Sequence, residues 1–370
     1  MKIFTLYYKN EGGGFFRRLG RMMKACADAG NTVHYMAPQP FPGLDGYPEI
    51  LWHRAPLPGP TFVKALTALV LWPFLVLVTS IRFRIDRFAV FGLPYAAVCG
   101  IASKVTGRPI VTFVRSDWVA ELELAGRSRL TRAAGWLTLR LGGLASRTIV
   151  ANSVSLGSRL GERLGKGRMV KVLPNDIEPG DTPDRGKART VLANMCGFCE
   201  DRFVIGYVGT FKPRKQVWQV IDIFNILRDT PSVLVLVGDG ADREQVLNRI
   251  NELKLQDRVY WLGWQEDVRE LLAGMDVTIL PSRFEGSPNA VLESVSVGTP
   301  VIGSDVMGVV DLLPTEMLFP LDDIERAAEI IRECTARGQF YSVITRAAQQ
   351  VREKFAFDWD AQIVKLVGNG

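Results

Sequence analysis

Short apolar runs recur along this chain, each bounded by glycine, proline or charge, and longer amphipathic stretches separate them. That alternation predicts strand–helix repeats and therefore parallel sheets. In the first half, strands are expected at 2–8, 32–36, 88–92, 109–114, 148–152 and 169–175, with helices near 15–29, 94–106 and 153–164. The pattern restarts at FVIGYVG (203–209) and continues with strands at 233–237, 258–262, 276–280, 300–303 and 316–319. Helices at about 322–337, 340–354 and 358–370 close the chain. From Glu178 to about Asp201 the pattern weakens into proline, glycine and charge, as expected of a linker. The expected fold is α/β, with two Rossmann-like doubly wound domains. The first spans 1–177 and the second 202–354, with 178–201 as linker and 355–370 as a helix packing back on the first domain.

One stretch departs from this alternation. Residues 65–81 are 17 consecutive uncharged positions, followed by Arg82, Arg84 and Arg87. A spanning helix needs roughly 20 apolar residues, and Pro73 would kink this one. It reads as a buried domain helix, as a helix in the membrane interface with its arginines on headgroups, or as a true span.

The formal charge of +6 on 370 residues hides an asymmetry. Residues 1–177 carry 24 Lys+Arg against 10 Asp+Glu, and the remainder 21 against 29. The first half is therefore the candidate for an acidic partner: an anionic membrane surface or a phosphorylated acceptor. Nucleic acid is disfavoured, because the basic residues are scattered and no binding motif accompanies them. Five cysteines, an odd number, point to reduced thiols in a cytoplasmic protein. Cys196 and Cys199 form a CxxC without a second pair, and His34 and His53, the only histidines, read as structural. MKIFTLYY reads as a first strand and not as a signal peptide.

The richest chemistry lies in FEGSPNAVLE (284–293). The strand DVTIL (276–280) ends at Pro281-Ser282, and Ser287 is expected to cap a helix starting at Pro288. Glu285 then lies in the loop and Glu293 on the helix. On one helix the two would be about 12 Å apart along the axis, at 1.5 Å per residue. A retaining glycosidase needs its carboxyls about 5–5.5 Å apart and an inverting one about 6.5–9.5 Å. Separate tasks along an elongated ligand fit better, and a ribose diol suits a carboxylate. The loop Gly209-Thr210-Phe211-Lys212-Pro213-Arg214-Lys215, which is not a P-loop, reads as suited to a diphosphate or as a solvated basic surface. Gly238-Asp239-Gly240 forms a similar turn. Gly12-Gly13-Gly14, which do not match GxGxxG, would let backbone approach a ligand closely or form only a flexible turn. Asp117, at the end of strand 109–114, is either a base or acceptor contact or a turn cap.

VGTFKPRK, VGDGADRE, VYWLGWQEDV, ILPSRFEGSPNAVLES and GTPVIGSD occur in this order within 203–305. In this the chain resembles the retaining glycosyltransferases of the two-domain GT-B fold, family 4. The resemblance extends more weakly to 12–14 and to VLPN (172–175). It implies two domains facing across a cleft and transfer from a nucleotide diphosphate sugar, most simply a UDP-sugar. The product would be a hexose or N-acetylhexosamine joined, with retention, to a lipid-linked or polysaccharide acceptor. Glu285 would contact the sugar hydroxyls, the backbone of Gly286, Ser287, Pro288 and Asn289 the sugar and phosphates, Glu293 the ribose, and Lys215 the departing diphosphate. The catalytic set it implies is Glu285, Lys215 and Asp117. Gly12, Gly13, Gly14, Gly209, Thr210, Lys212, Arg214, Gly238, Gly263 and Trp264 complete the donor-binding set, with no metal and no cofactor. Peripheral contact with an anionic membrane through the basic first domain and residues 65–87 accompanies this reading. Three positions depart from the family pattern. Thr210 stands where an arginine is common, leaving Lys212 or Arg214 as second cation. Gln216 stands where glycine is usual, and Arg115-Ser116-Asp117 where a histidine is frequent. A GT-B-like sugar-nucleotide epimerase and a catalytically inactive nucleotide-sugar or membrane-binding module are the competing readings.

Overall fold

The structure is a computed structural model that describes residues 1–8, 14–57, 61–165 and 169–369. It divides into two units, Met1–Pro174 with Asp358–Gly370, and Asn175–Phe357.

The first unit opens with β1 (Lys2–Leu6), α1 (Gly14–Asp28), β2 (Thr32–Ala37) and β3 (Ile50–Arg54). It continues through α2 (Thr61–Phe83), β4 (Arg87–Phe91), α3 (Leu93–Thr106) and β5 (Ile110–Val114). Then come α4 (Trp118–Leu124), α5 (Arg129–Ala145), β6 (Thr148–Ala151), α6 (Val154–Leu164) and β7 (Val170–Val172). The strands form one seven-stranded sheet in the order β3-β2-β1-β4-β5-β6-β7. Every pairing in it is parallel. A parallel sheet is covered on both faces, which is why IVTFV of β5 is wholly buried and its one polar side chain, Thr112, is hydrogen-bonded to Ser146 Oγ at 2.6 Å. The segment 65–81 lies within α2, where Trp72 and Val76 are buried. Among the described residues no helix is long and apolar enough to cross a membrane.

The second unit starts with α7 (Arg185–Cys196), β8 (Phe203–Val208), α8 (Val217–Ile226), β9 (Ser232–Val237), α9 (Arg243–Glu252) and β10 (Val259–Trp261). It continues with α10 (Arg269–Ala273), β11 (Val277–Leu280), α11 (Asn289–Ser296), β12 (Val301–Ser304), β13 (Leu318–Phe319), α12 (Ile324–Thr335) and α13 (Gln339–Phe355). Its six-stranded parallel sheet runs β10-β9-β8-β11-β12-β13. The order reverses direction between β8 and β11, the topological switch at which such sheets bind ligands beyond their carboxyl ends. The last helix, α14 (Trp359–Asn369), belongs to the first unit and packs on α1. There Arg21 Nε lies 2.7 Å from Asp360, and the Arg18 and Arg21 guanidinium groups sit 5.2 Å from the Trp359 ring centroid.

The segment expected to be linker, 178–201, is different. It contains α7, capped at its start by the Asp184 side chain on Lys187 N and at its end by Gly197 in the left-handed region. Ala188, Leu192 and Ala193 bury one narrow face of α7 in the second unit. Its other apolar residues include Val191 and Met195, which are exposed, so its apolar periodicity is weak while its caps are strong.

Asp276 anchors the amino end of β11. It is buried and receives Arg189 at 2.5 Å, Arg185 at 2.9 Å, Arg337 at 3.4 Å and the Val204 backbone N–H at 2.7 Å. A buried carboxylate persists only with such partners, and its loss leaves several guanidinium groups unanswered. Asp276→Ala is expected to lower the stability of the second unit by about 3–5 kcal/mol, read as a shift of its urea midpoint.

Candidate active site

Three loops meet at the carboxyl edge of the second sheet. Gly238, at φ 137°, packs against the backbone of Gly209, and a Cβ there would collide with the Gly209 carbonyl oxygen. Only glycine allows that approach. Gly238 N donates to Gly263 O at 2.7 Å, and Phe211 N to Asp239 O at 2.9 Å. Trp264, next to Gly263, is exposed. Thr210 takes part through its carbonyl, which accepts from the buried Tyr207 hydroxyl at 3.2 Å.

From Gly209 the chain reaches a single 3₁₀ turn, Pro213–Lys215. Gln216 follows at φ 48°, in the left-handed region, where the family pattern has glycine. Its amide donates to Asp322 Oδ1 at 2.8 Å, and Gln219 donates to the same oxygen at 2.7 Å. These bonds offset the cost of placing a side chain at that backbone conformation.

The turn delivers two cations to one carboxylate. Lys215 Nζ is 2.5 Å from Glu285 Oε1, and Arg214 Nη1 is 2.8 Å from Glu285 Oε2. Ser282 Oγ also donates to Oε1 at 2.8 Å. Lys212 is exposed and stands outside this group, so Arg214 is the second cation. Glu285 and Lys215 are both buried. Burial pushes the Glu285 carboxyl up, but Arg214, Lys215 and the hydrogen bonds from Lys215 and Ser282 outweigh it and hold the group at about 2. For Lys215, burial lowers the affinity for its proton, Glu285 raises it, and Arg214 lowers it again. Among the weaker influences, Glu293 also acts on Lys215, so both carboxylates address one ammonium.

The backbone around Glu285 is fixed from two sides. Glu285 N donates to Met307 O at 3.0 Å, and Gly308, at φ 82°, lies against the Glu285 and Gly286 carbonyls, where a Cβ has no room. Asn175 Nδ2 donates to Ser287 O at 3.1 Å and to Asn289 Oδ1 at 2.6 Å. The expected cap is absent: α11 begins at Asn289 after Pro288, and Ser287 Oγ has no hydrogen-bond partner among the described residues. The Asn175 side chain takes over the positioning of this loop. Gly286, Ser287 and Pro288 are buried, while Glu293 is half-buried on α11.

Residues 202–337 match the family model for glycosyl transferases group 1. N-acetyl-alpha-D-glucosaminyl L-malate synthase of Bacillus anthracis is 25% identical over 324 residues, which is 85% of this chain and 81% of that relative. UDP-Gal:alpha-D-GlcNAc-diphosphoundecaprenol alpha-1,3-galactosyltransferase of Escherichia coli is 27% identical over 61% of this chain, which spans 60% of that protein's length. The crystal structure of Anabaena HepE in complex with UDP-glucose has the same fold at TM-score 0.81, covering 100% of both chains at 21% identity. The chain has the GT-B fold, and its residues 202–337 carry the glycosyl transferases group 1 pattern.

Other expected residues belong to the first unit. Asp117 is buried in the first unit, where it accepts from Ala120 N as the cap of α4. Its Oδ2 lies 2.7 Å from Arg159 Nε, and Arg163 engages Oδ1. Both oxygens face arginines of α6, and the side chain acts as the turn cap that was one of its two expected readings. Gly12 and Gly13 lie outside the described residues, and Gly14 is the first residue of α1. Among the described residues no group of three or more His, Cys, Asp or Glu could hold a metal. His34 and His53 pair with each other instead, Nδ1 to Nε2 at 2.9 Å. The Cys196 thiol is raised by burial to about 11, away from reactivity.

Sequence reasoning missed Ser282, Asn175, and the Met307-Gly308 turn. Ser282 and Asn175 lie inside recognisable motifs, ILPS and VLPN, without a pattern that assigns them partners. The 307–308 turn carries no local signal.

The Glu285 carboxyl lies below its ordinary value of 4.5, at about 2, so its contribution to stability is complete above pH 4.5 and is lost as pH falls towards 2. Comparing wild type with Glu285→Gln, the difference in unfolding free energy of the second unit should shrink by about 1.4 kcal/mol per pH unit below that point. Urea titrations at a series of acid pH values read this, and a pH-independent difference would contradict it.

Proposed function

We propose that the chain transfers a hexose or N-acetylhexosamine from a UDP-sugar to a lipid-linked or glycan acceptor, with retention of anomeric configuration and without a metal ion. What supports this reading most is the contact of Glu285 with Lys215 and Arg214. A diphosphate is the natural competitor for those two cations, and their bidentate carboxylate partner is of the kind that accepts hydrogen bonds from sugar hydroxyls. In this reading Lys215 and Arg214 stabilise the charge that develops as the diphosphate departs, which is the work a metal would otherwise do. The backbone N–H groups at the start of α11 add positive potential. Glu285, released from the cations, orients the sugar, and Glu293 accepts from the ribose diol. The acceptor hydroxyl attacks from the face that the diphosphate leaves. The B. anthracis and E. coli relatives act, by their names, in transfer of N-acetylglucosamine to L-malate and of galactose to a diphosphoundecaprenol-linked sugar. They support a small activated sugar as donor and leave a lipid-linked acceptor as the choice favoured by the basic first unit. Peripheral contact with an anionic membrane through that unit and residues 65–87 belongs to the same reading.

Two variants separate the roles. Glu285→Ala is expected to lower turnover of the accepted UDP-sugar by at least about 100-fold while UDP affinity holds or rises, because the cations no longer face a carboxylate. Glu293→Ala is expected to weaken UDP binding by about tenfold. Calorimetry and donor-hydrolysis assays read both. Weaker UDP binding in Glu285→Ala together with full turnover would sink the assignment.

A further inference from the structure

The outward side of the α2, α3 and α5 layer is apolar in a way that its packing does not require. α5 turns its glycines inward. Gly142 lies against the Leu93 backbone, where a Cβ would collide with the carbonyl oxygen, and Gly135 and Gly143 pack on Leu122 and Leu164. On the opposite side, at helical spacing, Leu137, Leu141 and Leu144 are exposed, Leu144 at 78%. A helix that buries glycine and presents leucine to its surroundings is inverted for life in water. α2 repeats the arrangement, burying Trp72 and Val76 while Val70, Phe74, Val78 and Ile81 are exposed, Phe74 at 60%. Between them lies α3, in contact with both, with Ile101 and Val105 exposed. The apolar residues thus span three adjacent helices, and do not occur singly as on an ordinary surface.

Charge identifies what covers this face. The three helices run in the same direction, each crossing back between parallel strands, so their carboxyl ends share one edge of the layer. Exposed cations gather along that edge: Arg82 and Arg84 after α2, Lys104 and Arg108 after α3, Arg147 after α5. Within 70–147 the only exposed acidic side chain is Glu123. A second copy meeting this face would bring two cationic rims together with little to answer them. An anionic bilayer offers acyl chains to the leucines and phosphate to the arginines.

We propose that the α2–α3–α5 face of the first unit seats in the headgroup interface of an anionic bilayer, without crossing it. This deepens the membrane contact read from residues 65–87 by adding α3 and α5, and it is independent of donor chemistry. The apolar side chains enter the acyl boundary, while the arginines and lysines hold headgroup phosphates.

The test uses the full chain and flotation with phosphatidylcholine vesicles, with and without phosphatidylglycerol. Wild type is expected to float with the anionic vesicles and to be released by salt. The triple variant Leu137→Ser, Leu141→Ser and Leu144→Ser removes only exposed side chains, and a circular dichroism melt confirms its folding. It is expected to bind at least about tenfold more weakly, as is Arg82→Glu with Arg84→Glu. Equal flotation of wild type and the leucine variant would overturn the role of α5. Absence of flotation by wild type, or a dimer in sedimentation equilibrium that the leucine variant abolishes, would overturn the bilayer as occupant. UDP-induced thermal stabilisation, measured on the same samples, should be unchanged in both variants. Its absence in wild type would count against the proposed transferase reaction and leave the bilayer result standing.

Discussion

A buried carboxylate cannot remain ionised alone, and Glu285 is therefore the constraint on which the carboxyl edge of the second sheet depends. Its partners come from separate places: Ser282 from the end of β11, and Arg214 and Lys215 from the turn after β8. The backbone on either side is fixed by Met307 and Gly308. These segments converge because the charge must be answered, and the glycines at 209, 238 and 308 allow the backbones to come close enough. β11 carries a second buried carboxylate at its other end, Asp276, but the two differ in kind. Asp276 is matched by three arginines from helices and loops that only hold the unit together. Glu285 is matched by two adjacent cations on one short turn, which a phosphate can draw toward itself.

Net charge and local field are separate matters in this chain. The second half is acidic overall, with 21 Lys+Arg against 29 Asp+Glu, yet its candidate site is built around a lysine and an arginine. The first half is basic and places its exposed cations beside an apolar helical face. One unit thus concentrates positive charge at a point, and the other spreads it along an edge. These are the arrangements suited to a small anion and to an extended anionic surface respectively.

Much of the second unit was legible in the sequence, because buried parallel strands read as apolar runs that glycine and proline interrupt. The helices α4, α5 and α7 were not. α5 buries glycine and exposes leucine, so the usual rule for finding its inner face is reversed, while α7 buries too few apolar residues to give a period. Glu285, Lys215 and Glu293 could be singled out from motif spacing, but not the contact between them, since Lys215 and Glu285 are 70 positions apart. Asp117 illustrates the same limit. Its place at the end of β5 left a chemical contact and a turn cap open, and its partners Arg159 and Arg163, contributed by α6 more than 40 positions on, could not be read from the sequence. Gln216 would have seemed a defect at a glycine position without Asp322, which lies more than 100 residues on.

The proposed chemistry requires Lys215 and Arg214 to exchange Glu285 for a diphosphate. The most direct measurement is a calorimetric comparison of UDP with UMP, which lacks the second phosphate, on wild type and on Lys215→Ala. Wild type is expected to prefer UDP by at least about tenfold, and Lys215→Ala to erase the preference. A preference that survives the substitution, or none in wild type, would contradict it.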